Sequence, residues 1–557
     1  MYAEKTSTPL LRGIYVFAIV SWLLVVWGYA RFFSPHSIYW WSLVPLIAFL
    51  TLHFILSYLI NFFYEPMDTE AHRRLVASFW NKTPQPPSVD VFLPICGEDT
   101  EILTRTFKAV SQLEYGPIHV YVLDDRGISS HEALASQFSF TYLSRRNKGY
   151  MKKAGNLKYG FDRSRGKFIA IFDADFCPHP GFIRELLPYM DDPAVAIIQS
   201  PQYFEANDTV HNRSALEYGA ASVQEDFYRF IQVARSRLGA PVCCGSNALY
   251  RRSALEDIGG VAQIEHSEDI HTGFALLHRG WKVLYLPIIL AIGICPDNLY
   301  AFFHQQHRWC SGNVSLIMRK EFWVSRLSFK QKICFLSGFM YYVSFPVLIL
   351  FSFGTFFLFL ETSMSADLSS VLFFLPCVLL AFVIMPLFRI VPPRSGNFFA
   401  RAAYAYSYCH AVVTGLAKQS AGWEPTNTRR ASISRAYQET LAFVALYFIL
   451  YGALVIFAFK ETPITLWNPA YWLILFWVFY NLFSAGFIGV QFWLAVHEEY
   501  KSALWSLGRK LLWGSDEDTL YISSFGTHVR SQYRGTPARS LNHSGSPASF
   551  HYFRPPN

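Results

Sequence analysis

Two apolar stretches of this chain end in acids. Ile118–Leu123 runs into Asp124-Asp125-Arg126-Gly127, and Lys167–Phe172 runs into Asp173-Ala174-Asp175. If both are strands of an open α/β sheet, their carboxyl ends border the crevice where such sheets bind ligands. Two adjacent strand ends would bring up to four carboxylates together, and like charges that close repel unless a cation lies between them. A hard divalent ion, Mg2+ or Mn2+, takes one or two carboxylates and fills its other positions with water and phosphate oxygens. Along an extended chain the Asp-x-Asp spacing turns both side chains the same way. A lone pair of this kind could equally be a solvated loop end; the second acidic strand end favours a site.

Three further segments carry chemistry. Lys148-Gly149-Tyr150-Met151-Lys152-Lys153-Ala154-Gly155-Asn156 mixes glycine with base, a composition that suits phosphate or a solvated loop. Ser267-Glu268-Asp269 lies just before an expected helix, Thr272–Arg279. There Asp269 can cap the helix or act as a general base on an attacking hydroxyl. Gln305-Gln306-His307-Arg308-Trp309 offers an aromatic plane, a guanidinium and amides, the groups that hold sugar rings and diphosphates. The same residue types also anchor chains at a membrane interface. His304 and His307 are read as interfacial histidines rather than metal ligands.

The elements that must position these residues follow from composition. Hydrophobic residues are 52% of the 557, charged residues only 16%, and mean hydropathy is +0.21. That excludes a disordered chain and argues against a wholly soluble one. Six charge-free apolar stretches are long enough to span a bilayer: Gly13–Ala30, Ser42–Phe63, Cys334–Leu360, Leu368–Phe388, Leu441–Phe459 and Tyr471–Val496. Basic residues such as Arg319, Lys320, Arg326, Lys330 and Lys332 flank the third, so the segment between spans two and three is expected to be cytosolic, as are both termini. The net charge of +8 fits such juxtamembrane loops better than a nucleic-acid groove. Nine cysteines without a Cys-x-x-Cys pair exclude a disulfide scaffold or a structural zinc module.

The expected organisation is two transmembrane helices over 1–64 and a cytosolic α/β domain over 65–332 with interfacial helices. A second transmembrane region over 333–499 and a cytosolic tail over 500–557, disordered from about Gly526, complete it. Within 65–332, Val89–Ile95, Ile118–Leu123, Lys167–Phe172 and Val195–Gln199 are short strand-like runs separated by longer stretches, which predicts βαβ units and a mostly parallel sheet.

The order Asp-Asp, Lys-Ala-Gly-Asn, Asp-x-Asp, Glu-Asp and Gln-x-x-Arg-Trp on an insert between spans resembles the processive membrane glycosyltransferases of family 2, which include cellulose, curdlan, hyaluronan and chitin synthases. Phe172-Asp173-Ala174-Asp175, Cys244-Gly245-Ser246-Asn247-Ala248 with Arg251-Arg252, and Glu268-Asp269 with Thr272-Gly273 and Arg279-Gly280-Trp281 are similar to the cellulose synthase forms. Ser267 stands where that group has Thr.

The resemblance implies a GT-A type cytosolic domain and an inverting transfer from a UDP-sugar, UDP-glucose foremost, to a growing β-glucan that crosses the membrane. By that likeness Asp124 or Asp125 contacts the uridine and ribose, and Lys153 supports the nucleotide. Asp173 and Asp175 bind UDP through Mg2+ or Mn2+, with Asp175 the favoured metal ligand. Asp269, beside Glu268, is the catalytic base. Gln305 and Arg308 hold the diphosphate, Trp309 stacks on the acceptor sugar, and Cys244, Gly245 and Ser246 line the acceptor site. Trp423 and Thr426 stand where the family has a gating loop, near 420–436, although Pro425 replaces its Val. The implied location is the plasma membrane. The alternatives are hyaluronan- or chitin-type synthesis from UDP-N-acetylglucosamine, and a transporter with an inactive insert.

Overall fold

A computed structural model describes residues 8–32, 38–204, 215–296, 298–361, 372–384, 395–417, 434–461 and 469–494. Trp423, Thr426 and the 500–557 tail lie outside the described residues.

The apolar runs form the centre of a seven-stranded mixed sheet, in the order β3-β2-β1-β4-β8-β6-β9. Its strands are β1 (Val89–Ile95), β2 (Ile118–Asp124), β3 (Thr141–Ser144), β4 (Phe168–Ile171), β6 (Val195–Gln199), β8 (Ala248–Arg251) and β9 (Lys282–Tyr285). A small second sheet pairs β5 (Phe176–Pro178), β10 (Ala291–Gly293) and β7 (Tyr203–Phe204). All seven residues of β1 are buried, which is what a continuous apolar run in a central strand requires. Helices cover the sheet with amphipathic faces. In Thr100–Ser111, capped by Asp99, the buried Leu103, Thr106, Phe107 and Val110 recur at helical spacing.

The sheet is mostly parallel, as expected; β8 alone among its strands runs antiparallel to its neighbours β4 and β6. One sequence-based expectation needs correction: the strands that end in acids are not adjacent, because β1 pairs with both β2 and β4 and lies between them. Their ends are therefore two strand spacings, roughly 10 Å, apart. The mixed sheet and its covering helices form the expected α/β domain.

Among the described residues, four helices are long and apolar enough to cross a membrane: Thr8–Arg31, Trp40–Asn61, Phe329–Gly354 and Arg435–Phe457. A further apolar helix, Pro469–Leu494, covers the sixth expected stretch, and of Leu368–Phe388 only 372–384 are described. Large apolar side chains on these helices, such as Ile449, Ile456 and Phe479, are exposed, as a lipid-facing surface would have them.

Candidate active site

The carboxyl ends of β1, β2 and β4 open onto one cleft, closed on the other side by the Glu268–His278 and Leu299–Ile317 helices. Asp125, Lys153, Asp173, Asp175, Cys244, Glu268, Asp269, Gln305, Arg308 and Trp309 all line it.

Asp124 does not reach the cleft. Fully buried, it accepts from the Arg126 amide at 2.8 Å, the Ile128 amide at 2.9 Å and the Tyr142 hydroxyl at 2.8 Å, and meets His131 Nδ1 at 3.2 Å. Burial works against its charge, but these donors hold its pKa below the ordinary carboxylate value. It is therefore a structural acid that shapes the turn after β2, contrary to the expectation that either acid of the pair could meet the nucleotide. Alternation along a strand sends its neighbour Asp125 the other way.

Asp125 is oriented by Arg145, whose Nε donates to it at 2.5 Å, and by the Gly149 amide at 3.2 Å. The same guanidinium donates to the carbonyls of Tyr150 at 2.5 Å and Lys152 at 3.1 Å, so one buried side chain ties the basic loop to the end of β2. Gly155 is what lets Arg145 in: a Cβ there would stand 2.4 Å from the guanidinium and 2.3 Å from the Tyr150 carbonyl. Asn156 closes the arrangement by donating to the Leu123 carbonyl at 2.6 Å. The Lys-Ala-Gly-Asn motif is thus largely a joint between the Lys152–Phe161 helix and β2.

Its lysine faces inward. Lys153 Nζ donates to Asp173 Oδ1 at 2.5 Å and to the Gly245 carbonyl at 3.1 Å, and lies 3.5 Å from Glu268. Burial opposes its charge, yet Asp173, Glu268 and Asp269 together hold the ammonium above its ordinary pKa. It stays a cation.

Asp173 is fixed at the backbone too, its amide donating to Ser246 Oγ at 2.8 Å. Ser246 is completely buried beneath it and does not line the cleft. Cys244 does, held by Gln199 Oε1, which accepts from its amide at 3.0 Å, and by Gln202, which donates to its carbonyl at 3.1 Å. Gly245 adopts a φ of +71°, and a Cβ there would lie 2.8 Å from that of Asp269. The position has to be glycine for the acid to occupy its place.

Asp269 is not a cap ahead of a helix. The helix begins at Glu268, so Asp269 is its second residue and accepts from the Ile270 amide at 2.8 Å. Burial first, then the negative charge of Glu268, pushes its pKa up to about 7, against the pull of Lys153. Helix contact brings it to the diphosphate-type residues. Ser267 Oγ donates to the Arg308 carbonyl at 3.1 Å, and Gly312 leaves room for Ser267, since a Cβ would stand 2.1 Å from its Oγ. At helical spacing Gln305, Arg308 and Trp309 share one face of their helix, the face toward the cleft. Burial lowers the Arg308 pKa, opposed by Glu268, Asp173, Asp269 and Asp175, so its charge is matched to an acidic surrounding.

Sequence reading missed Glu98. It follows β1, lines the cleft and accepts from the Cys96 amide at 2.6 Å; burial is the main force raising its pKa to about 7. Counting acids beyond β1, as was done for β2 and β4, would have found it. Arg145 had no comparable signal, because its role depends on three backbone carbonyl and carboxylate groups meeting in space.

A divalent cation fits this donor set. Among the described residues no group of three or more His, Cys, Asp or Glu is assembled as a metal cage. A hard cation shared with a diphosphate needs only one or two carboxylates. Burial, Asp173 and Glu98 raise the Asp175 pKa to about 7, and a nearby positive ion would relieve that strain.

Comparison with known proteins places these residues in a family context. The family model described as "Glycosyl transferase family group 2" matches residues 168–385. A cellulose synthase catalytic subunit of Xanthomonas axonopodis pv. citri is 30% identical over 46% of this chain and 36% of its own length. One from Komagataeibacter xylinus is 31% identical over 45% and 34%. The cellulose synthase 2 of Novacetimonas hansenii is 28% identical over 64% and 23%. The chain thus spans about a third or less of these relatives. Among solved structures, a mannosyltransferase from Pyrobaculum calidifontis in complex with GDP-Man and Mn2+ is similar at a TM-score of 0.47 and 16% identity, over 67% of this chain and 99% of that one.

Proposed function

Because the chain carries a cellulose-synthase-like family 2 glycosyltransferase domain, we propose that it polymerises a UDP-sugar, UDP-glucose foremost, into a β-glucan and passes the product across a membrane, with the cleft on the cytosolic side of the plasma membrane. The observation that carries this reading is the convergence of Asp269, Asp173, Asp175, Arg308 and Trp309, from three separate parts of the chain, on one cleft.

Each residue then has a task set by its place. Asp125, held by Arg145, meets the nucleoside end of the donor. Asp173 and Asp175 would hold Mg2+ or Mn2+, which when bound neutralises diphosphate charge. Arg308 and Gln305 hold the diphosphate, and Arg308 stabilises the charge that grows on it as the glycosidic bond breaks. Trp309 places the acceptor sugar ring, with Cys244 in the lining of the same cleft. Asp269 takes the proton from the acceptor hydroxyl as its oxygen attacks the anomeric carbon and UDP leaves, which turns an α-linked donor into a β-linked product. Lys153 ties Asp173 to the Gly245 carbonyl and lies beside Glu268, which keeps the acids in position. A hydroxyl-rich polymer cannot dissolve in hydrocarbon, so the helices beside the cleft must give it a path.

The test is to supply the purified full chain with UDP-glucose, UDP-N-acetylglucosamine and UDP-glucuronate separately and to digest any product with linkage-specific glucanases. Polymer from UDP-glucose that a β-glucanase degrades is the expected result. Polymer from UDP-N-acetylglucosamine alone would reassign the donor, and no transfer from any of the three would sink the reading.

Acidity supplies a second check. With Asp269 at about 7, kcat/KM should rise about tenfold per pH unit below neutrality and level off above it. Stability runs the other way. Free carboxyls titrate near about 4, whereas Asp175, Glu98 and Asp269 in the folded chain titrate at about 7. The folded state therefore binds more protons across that window, and the ligand-free protein loses stability as pH rises through it. Thermal unfolding at pH 5 and pH 8 measures this; equal midpoints would contradict the electrostatics described.

A further inference from the structure

On the side of the Leu299–Ile317 helix away from the cleft stands His307, buried and adjacent in sequence to Arg308. Its Nε2 meets Nδ1 of His410, on the Ser395–Leu416 helix, at 3.0 Å. His410 Nε2 meets Glu439 Oε2 at 3.0 Å, and Arg435 Nε donates to Glu439 Oε1 at 2.6 Å, both from the Arg435–Glu461 helix. Ser311 Oγ lies 3.4 Å from the remaining His307 nitrogen, Nδ1.

With both imidazoles neutral, these contacts admit one self-consistent direction. His410 and Arg435 reach the two oxygens of Glu439, one each, and a carboxylate accepts from both. His410 must then donate from Nε2, which leaves a lone pair at Nδ1 when the ring is neutral. Burial, with His410, His304 and His266 nearby, pushes the His307 pKa down to about 3, so His307 is a neutral ring. Its Nε2–H donates to His410, and its Nδ1 accepts from the Ser311 hydroxyl. Each nitrogen of the two imidazoles then has a partner of the right kind, in a line running from the exposed Arg435–Glu439 pair to the helix that carries Arg308 and Trp309. The tie is reinforced by two neighbours on the same helices: Tyr408 donates to Gln306 Oε1 at 2.5 Å, and Ser407 to the Phe303 carbonyl at 3.0 Å.

We propose that His410 is a positioning residue for the nucleotide-sugar site, and that the hydrogen-bond chain Arg435–Glu439–His410–His307 sets the rotation of the Leu299–Ile317 helix and hence where Arg308 and Trp309 stand in the cleft. The proposal rests on the reading of that cleft as a UDP-sugar site. Its physical basis is that His307 carries a buried donor on the face opposite the working residues. Remove its partner, and the helix must turn or admit water to satisfy that donor. A small turn moves the guanidinium and indole off their positions together.

The experiment compares UDP affinity and transfer rate in the full chain. His410→Phe keeps the ring bulk and removes both nitrogens, while His410→Gln keeps a donor and an acceptor. His410→Phe should lower kcat about tenfold and weaken UDP binding about fivefold, and His410→Gln should restore both to within about twofold of wild type. Glu439→Gln, at an exposed position, should shift both in the same direction by a smaller factor, and it decides the matter if His410→Phe does not fold. Variants that lose folded protein but bind UDP normally per folded molecule would overturn the proposal, as would equal losses in His410→Phe and His410→Gln. Wild-type protein that binds no UDP would instead sink the glycosyltransferase reading itself.

Discussion

Asp269→Asn should lower polymer formation by about 10^3-fold while leaving UDP affinity within about twofold. The substitution is nearly isosteric. The amide oxygen can still accept from the Ile270 amide, as Oδ1 does at 2.8 Å, and the contact with Gly245 is preserved. What disappears is basicity. An amide cannot take the proton of an attacking hydroxyl, whereas a carboxylate with a pKa of about 7 can do so near neutrality and release it again. The charge lost was also one of several crowding this end of the cleft, so the variant should unfold at a slightly higher temperature above pH 7. Incorporation of labelled sugar and calorimetric titration with UDP separate the two effects. Polymer made at the wild-type rate would remove Asp269 as the base, and UDP binding lost in step with activity would make it a binding residue.

Asp175→Ala should abolish the dependence of UDP binding on Mg2+ or Mn2+ and cost at least about 10^2-fold in transfer. The two acids of the Asp-x-Asp motif are not equivalent in this structure. Asp173 already has a partner in Lys153 at 2.5 Å, so much of its charge is answered from within the chain. Asp175 has been pushed toward neutrality by burial and by its acidic neighbours, the state of a group that gains most from an added cation. In wild-type protein, UDP affinity should rise steeply on adding the divalent ion and fall on chelation. In the variant the two conditions should coincide. If the cation still strengthened UDP binding after Asp175→Ala, the metal would have to sit on other residues, with Asp173 and Glu98 the next to be replaced. The same variant should be more stable than wild type without ligand at pH 8, because a strained carboxyl has been removed.

Much of this was legible in the chain alone. Strand runs of Val, Ile and Phe, charge-free apolar stretches and the acids that follow β2 and β4 are local signals, set by side-chain chemistry over ten to twenty neighbouring positions. They were sufficient for an α/β domain between apolar helices and for ten of the residues that line the cleft, though not for Glu98. The motif resemblance added roles that spacing could not supply. Asp124 and Asp125, by contrast, are indistinguishable in sequence. Only the folded turn, with the amides of Arg126 and Ile128 on one side and Arg145 on the other, decides which is structural and which faces the cleft.

The same division holds elsewhere. The sequence by itself determined which residue types could do chemistry and which segments could be strands, helices or spans, because those preferences depend on near neighbours. It could not determine that β1 would separate the two acidic strands, that β8 would run antiparallel, or that His410 and Glu439 would stand behind Arg308. Those are matters of tertiary structure, since they depend on groups as far as 103 positions apart in the chain meeting at hydrogen-bond distance, and no local pattern carries that information.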